Sequence, residues 1–430
     1  VTKRDTIFAT SSGAPPAAIA IVRLSGPEAF AVAQAIAGPL PLPRRAALRA
    51  LHDPRDGSLL DRALVLVFPG PRTATGEDVV ELQIHGGRAV VLAVEAALAA
   101  QPGMRHAEAG EFTRRALENG VIDLTEAEGL GDLLSAQTET QRRAALRIAE
   151  GGLRANVDRW TDRLIEIAAR VEAQLDFSDE DDVTTESSAE IGTAIAATAA
   201  EIARLLAAPP VERLYDGIRV VIAGPPNSGK STLLNALTGR EVAIVSDISG
   251  TTRDRIDVPV ERGGIAYLLT DTAGLTSTPG DVIERIGIER AAAAIASADV
   301  VLWLGDDAPS DPHHLRVHAR ADLADRAMMV PADCVVSLSA KTGDGLEDLW
   351  AIIAERARAV LPQEDMLTTN RRQRALLAAC LGHLQAAGVD DFLIVAEELR
   401  GALKALDAVA GRSGIGNVLD AVFSRFCIGK

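Results

Sequence analysis

The sequence predicts a multidomain chain: an α+β N-terminal domain, an all-α helical domain, and an α/β domain inserted into the helical one. Three observations predict it. Strand-like and helix-like segments mix over the first 118 residues. Apolar residues then recur at spacings of three and four, as in Leu146, Leu153, Val157, Leu164, Ile167, Val171 and Leu175, which is one face of a helix. From about residue 216 to 362 strands and helices alternate, the pattern of a doubly wound parallel sheet, and the chain then turns helical again to 430. The expected boundaries are 1–118, 119–214, 215–362 and 363–430, the second and fourth being two parts of one helical domain.

Taken in order, residues 17–24, 64–68 and 79–84 read as strands, and 27–37 and 88–100 as helices. Arg23 and Glu81 lie on two of these strands, where residue type alone makes each a solvent-facing position. His85-Gly86-Gly87 is a strand-to-helix turn. The acidic run at 179–182 interrupts the helices as a solvated loop, since it lacks the spacing of a calcium loop. Pro209-Pro210 marks the next boundary. Residues 218–223 form an apolar run that reads as a buried strand, 255–260 and 266–270 a hairpin around Gly263-Gly264, and 300–304 and 335–338 further strands. The segment before Ala319, with His313, His314 and Arg316, is a poor strand. Residues 346–360 close the α/β region as a helix.

Composition sets limits. The chain has 430 residues, 47% hydrophobic and 24% charged, which is the profile of a globular protein with room for several cores. Its net charge of −16 argues against unaided nucleic-acid binding by bulk electrostatics. Arg142, Arg143, Arg147, Arg371, Arg372 and Arg374 are the candidate basic points. Cys334, Cys380 and Cys427 stand far apart, with neither metal-ligand spacing nor a disulfide framework, as expected in a reducing cytoplasm. The N-terminus lacks the apolar core of a signal peptide, and no apolar run is expected to reach the length of a membrane span.

The strongest motif is Gly224-Pro225-Pro226-Asn227-Ser228-Gly229-Lys230-Ser231, a phosphate loop between a strand and a short helix that stops at Gly239. Its glycines turn backbone N–H groups inward around phosphate oxygens, and the helix N-terminus adds a favourable dipole. Lys230 reaches the terminal phosphates and the Ser231 hydroxyl ligates Mg²⁺. Four elements follow in order. Gly250-Thr251-Thr252 carries a threonine suited to a switch loop. Asp271-Thr272-Ala273-Gly274 follows a strand, its Asp facing Mg²⁺ and its Gly donating toward the γ-phosphate. Asp322 sits where a guanine-reading carboxylate is expected, and Ser339-Ala340-Lys341 supplies a backbone N–H for a guanine oxygen. Together they select the GTPase branch of phosphate-loop proteins. One position departs: Ala319 stands where an Asn would meet the N7 edge of guanine, so weaker affinity or relaxed base choice is expected.

The chain resembles the tRNA modification GTPase MnmE (TrmE) family over essentially its full length. The resemblance rests on Gly76-Glu77-Asp78-Val79-Val80-Glu81-Leu82, Gly110-Glu111-Phe112-Thr113-Arg114-Arg115-Ala116, Asp123-Leu124-Thr125-Glu126-Ala127-Glu128, Glu284-Arg285-Ile286-Gly287-Ile288-Glu289 and Phe426-Cys427-Ile428-Gly429-Lys430. It implies a folate-binding N-terminal domain that forms the homodimer, and a helical domain interrupted by a phosphate-loop GTPase domain. It implies a heterotetramer with the FAD protein MnmG and modification of carbon 5 of the wobble uridine in certain tRNAs. The one-carbon unit would come from a 5-formyl- or 5,10-methylene-tetrahydrofolate.

Carried over by position, the resemblance implies a K⁺ site at Asn227, Ser246, Ile248 and Thr251, and Mg²⁺ ligands at Ser231 and Thr252. GTP contacts would run through 227–232 including Thr232, through Asp247, Ser249 and Gly250 in the switch loop, and through the later elements above. Glu284 would orient the attacking water, and Arg253 is a finger or only a loop charge. Arg23, Glu81 and Lys430 would hold folate, with weakened affinity because Val121 replaces the family's lysine. Cys427 is either a participant in the modification site or a buried thiol. Two alternatives stand beside this reading: a ribosome-assembly switch that binds ribosomal RNA, and a degenerate member with relaxed nucleotide specificity.

Overall fold

Period-two patterning builds the N-terminal sheet. In β4 (Leu59–Phe68), Ala63, Val65 and Val67 are buried while Leu64 is exposed. The same alternation buries Ala20, Val22 and Leu24 of β2 (Ile19–Ser25), and Val80, Leu82 and Ile84 of β5 (Val79–His85). With β1 (Thr6–Thr10), β3 (Ala47–His52) and β6 (Met104–His106), these strands form one six-stranded sheet in the order β3-β4-β5-β2-β1-β6. Helices α1 (Ala29–Ala37) and α2 (Arg88–Ala99) cover its apolar face with Val32, Ile36, Val91, Val94 and Leu98. Because the other face alternates, Arg23 and Glu81 point away from this core, and the strand register sets them opposite each other.

This computed structural model describes residues 5–176, 188–239, 242–243, 257–272, 289, 291–309, 311–327, 330–362, 366–388, 391–413, 423, 426 and 429. The acidic run at 179–182 and Arg253 lie outside them. The chain divides into two units: Val1–Gly131 with Ala149–Asp162 and Leu403–Lys430, and Asp132–Ile148 with Arg163–Ala402.

In the first unit, α3 (Glu111–Glu118) ties the two N-terminal motifs together. Arg115 Nη1 donates to Glu77 at 3.1 Å, Arg115 Nη2 to Glu111 at 2.9 Å, and Ser25 Oγ to Glu77 at 2.7 Å. Helix α4 (Leu124–Ser135) starts on a reciprocal cap. The Glu126 amide donates to Asp123 Oδ1 at 2.8 Å, and the Asp123 amide to Glu126 Oε2 at 2.7 Å. Phe423 and Phe426 pack with Ala127 beside it.

The helical region continues through α5 (Glu139–Ala149), α6 (Gly152–Asp176), α7 (Ser188–Ala207) and α8 (Glu212–Asp216). Within α6, the predicted stripe Leu153, Val157, Leu164, Ile167 and Val171 is buried. One expectation needs correction: the stretch Ala189–Asp216 does reach the length and mean hydropathy, 1.4, of a membrane span. Alanine drives that mean, not a broad apolar surface. Ile191, Ile195 and Ile202 form a buried stripe, and Glu201 accepts from Arg163 at 2.9 Å.

The α/β part of the second unit contains β7 (Ile218–Ala223), α9 (Lys230–Thr238), β8 (Val242–Ala243), β9 (Asp257–Arg262), β10 (Ile265–Asp271), β11 (Val300–Trp303), β12 (Leu315–His318), α10 (Ala324–Ala327), β13 (Val336–Ser337) and α11 (Leu346–Val360). The sheet order is β13-β12-β11-β7-β10-β9-β8, with β13 to β10 mutually parallel and β9 and β8 antiparallel. Ile218, Val220, Ile222, Leu269 and Leu302 fill the core with Trp350, whose ring meets Tyr267 at 5.2 Å. Each such fully buried side chain contributes about 1.5–3 kcal/mol. The segment expected to be a poor strand is the buried strand β12. Its polar residues find partners inside: Arg316 bonds Asp333 and the Asp306 carbonyl through its two Nη atoms, and His318 Nε2 meets the Arg326 carbonyl at 2.9 Å. Two further helices follow, α12 (Arg371–Ala386) and α13 (Phe392–Ala410). Helix α12 packs on α7, so chain from before and after the α/β part meets again.

Candidate functional site

Strand β7 lies between β10 and β11, so the chain order reverses about it, and a crevice opens beyond its carboxyl end. The phosphate loop leaves β7 there. Gly224 has φ +146°, and a Cβ at that position would lie 3.2 Å from the Leu304 backbone and 3.2 Å from Ser228 Oγ. Only glycine lets the loop turn this close to β11. Asn227 takes the left-handed conformation, φ +62°, and Gly229, φ +99°, precedes the first turn of α9. Among the described residues the buried Ser228 hydroxyl has no hydrogen-bond partner, a polar atom suited to an added ligand.

Lys230 is the first residue of α9 and is buried, 6% exposed. Its Nζ donates to the Gly224 carbonyl at 3.0 Å and the Pro225 carbonyl at 2.7 Å. Burial pushes its pKa down, and the Asp271 carboxylate opposes that shift. Ser231 Oγ donates to Asp271 Oδ2 at 2.5 Å, so a hydroxyl and a carboxylate from two elements meet at one point. Thr272 Oγ1 anchors the strand end to the Ile222 carbonyl at 3.0 Å. Thr232 is exposed one residue further along α9.

The second half of the site follows β12. A cavity of about 190 Å³ is lined by Gly229, Ala319, Arg320, Asp322, Ala340 and Lys341 among others, with Thr232 also on its wall. Asp322 Oδ1 accepts from Ser339 Oγ at 2.8 Å, and the Thr342 amide donates to the same hydroxyl at 3.2 Å. The Ser339 amide is taken by the Asp344 carbonyl at 3.0 Å, and the next two residues, Ala340 and Lys341, line the cavity. The sequence reading missed one residue here. Arg320 is left-handed, φ +62°, and its Nη1 donates to the Asn227 carbonyl at 3.1 Å, tying this loop to the phosphate loop. Its place two residues before Asp322 was the available signal.

Lys230, Ser231, Asp271, Asp322 and Ser339 are thus brought to one edge of the sheet. Ser246, Asp247, Ile248, Ser249, Gly250, Thr251, Thr252, Ala273, Gly274, Glu284, Cys427 and Lys430 lie outside the described residues. The first unit carries Arg23 and Glu81 side by side, Arg23 Nη2 donating to Glu81 Oε1 at 2.9 Å with both side chains about one-fifth exposed. The Arg23 guanidinium also lies 5.7 Å from the centre of the Phe112 ring. Val121 is exposed and touches the space above Gly76.

Residues 6–121 match the N-terminus of the GTP-binding protein TrmE, and residues 124–427 match the MnmE helical domain. The chain belongs to the MnmE family of tRNA modification GTPases. The tRNA modification GTPase MnmE of Rhizorhabdus wittichii is 54% identical over 99% of this chain and 97% of its own length. Those of Erythrobacter litoralis and Sphingopyxis alaskensis are each 51% identical, over 99% and 95% of this chain and all of their own. Among solved structures, the G domain of the T. maritima FeoB iron transporter aligns over 33% of this chain and 98% of its own at 25% identity, with a TM-score of 0.25.

Proposed function

We propose that the chain hydrolyses GTP at the β7–α9 edge and couples that hydrolysis to modification of tRNA. The observation that carries this reading is the Ser231–Asp271 contact at 2.5 Å beside buried Lys230. A hydroxyl, a carboxylate and an ammonium converge at a helix N-terminus, which is the donor set for a nucleotide polyphosphate and its metal ion. The residues fit both. Gly224 and Gly229 leave the loop open, and Ser228 offers an unpartnered hydroxyl.

In this mechanism Lys230 holds the terminal phosphates and counters their charge. Ser231 and Thr252 would hold Mg²⁺, with Asp271 hydrogen-bonded to Ser231. Magnesium, when bound, supplies positive charge to the bridging and terminal oxygens. Asn227, Ser246, Ile248 and Thr251 hold K⁺, whose charge serves where an arginine finger serves elsewhere. Glu284 orients the attacking water. Asp322 accepts from the guanine ring edge, and the amides near Ala340 face its oxygen.

Arg23, Glu81 and Lys430 hold a tetrahydrofolate derivative in the N-terminal domain. Their support is the donor–acceptor pair that Arg23 and Glu81 already form, which suits a ring with both kinds of group. The tRNA step takes place on carbon 5 of the wobble uridine, and Cys427 has a part in it. The chain works as a homodimer and with the FAD protein MnmG, in the cytoplasm.

The test is steady-state hydrolysis of GTP, ATP and XTP by the purified chain, in potassium and then in sodium at equal ionic strength. Turnover of GTP is expected to exceed that of ATP and XTP at least tenfold, and to fall by roughly tenfold or more in sodium. Equal rates in the two salts would remove the potassium site. No turnover in either would remove the hydrolase reading.

A further inference from the structure

The base cavity contains an unusual wall. Ala319 follows β12 and is buried, 4% exposed, at the lining of the 190 Å³ space. Its carbonyl is engaged by Arg326 Nε at 3.0 Å, and its side chain is a methyl group that neither donates nor accepts. Arg320, the next residue, donates through Nη1 to the Asn227 carbonyl at 3.1 Å. Asp322 is held in place by Ser339 and presents an acceptor only.

Purine chemistry turns this into a specificity statement. Guanine offers N–H donors at its N1 and 2-amino edge and an acceptor at N7. Asp322 matches the donor edge. N7 requires a donor, and Ala319 places none there. We infer that this chain reads guanine by one side chain, Asp322, and is blind to N7. It therefore binds a guanine nucleotide and its 7-deaza analogue alike. The inference rests on the GTP-hydrolase reading above and refines its base selection.

The experiment is calorimetric titration of the full chain with GDP, 7-deaza-GDP and IDP, diphosphates that avoid turnover. In the unaltered chain, GDP and 7-deaza-GDP are expected to bind within about threefold of each other, because no hydrogen bond is lost with N7. IDP, which lacks the 2-amino group, should bind at least about tenfold more weakly, since Asp322 loses a partner for its charge. Ala319→Asn should then tighten GDP by about three- to tenfold and leave 7-deaza-GDP where it was. A loss of more than threefold for 7-deaza-GDP in the unaltered chain overturns the inference, as does an Ala319→Asn variant with an unchanged ratio. Equal binding of IDP and GDP removes the role of Asp322 and overturns it too. Failure of all three nucleotides to bind overturns the GTP-hydrolase reading itself, an outcome distinct from a 7-deaza penalty.

Discussion

Lys230 donates to two carbonyls of its own loop while burial lowers its pKa. This fixes the sign of its effect on stability. Between the lowered value in the folded chain and the ordinary 10.5, the unfolded chain binds more protons, so stability rises with pH through that window. Below it the buried ammonium is a cost that phosphate binding offsets. Lys230→Met should therefore lower GTP turnover by about 10²–10³-fold. It should leave stability at neutral pH unchanged or higher, and flatten the alkaline rise. Hydrolysis assays and urea unfolding from neutral to alkaline pH check both halves. A variant that unfolds more easily at neutral pH would mean the ammonium is a net structural tie. The meeting of Lys230, Ser231 and Asp271 at one sheet edge was legible in the sequence because a phosphate loop restricts residue type at fixed spacing. Arg320 was not, since a left-handed backbone and a bond back to Asn227 leave no pattern in composition.

At the scale of elements, legibility followed period and length. Strand β7 and helix α11 appeared in the sequence with the bounds they have in the fold, because each carries a clear apolar pattern between turn residues. Strands β1 and β3 were missed: one is buried along nearly its whole length and the other lacks clean alternation, so neither shows period two. Strand β12 was undervalued because its arginine and histidine find partners only after folding. Arg374 shows the same effect on a helix. The sequence offered it as a basic point for tRNA, but its guanidinium donates to the Leu206 carbonyl at 2.6 Å and the Ala208 carbonyl at 2.9 Å, capping the end of α7. Arg374→Ala should cost about 1.5–3 kcal/mol of stability, the range for hydrogen bonds to a charged group. It should leave tRNA affinity unchanged. Denaturant unfolding with a filter-binding assay separates the two roles, and a variant of full stability that no longer binds tRNA would reassign the residue.

For the whole molecule, the −16 net charge constrains how a tRNA is held. Other candidate basic points are also committed within the fold. Arg142 and Arg143 both pair with Glu139 at 2.7 Å, and Arg147 donates to the Met366 carbonyl at 3.0 Å. Arg142 and Arg143 attract phosphate less than lone arginines, because the Glu139 carboxylate cancels part of their field at distance, and the Arg147 guanidinium is held by its carbonyl partner. Few phosphates can then be neutralised, and few counterions released on binding. The expected log–log slope of tRNA affinity against salt is shallower than about −4, corresponding to roughly four phosphates. Measuring affinity between low and moderate potassium concentrations tests this. A steeper slope would require a basic surface large enough to overcome the net charge, and the contribution of this chain to tRNA binding would have to be sought in residues other than these arginines. A shallow slope instead makes shape and base contacts, or a more basic partner, the source of affinity.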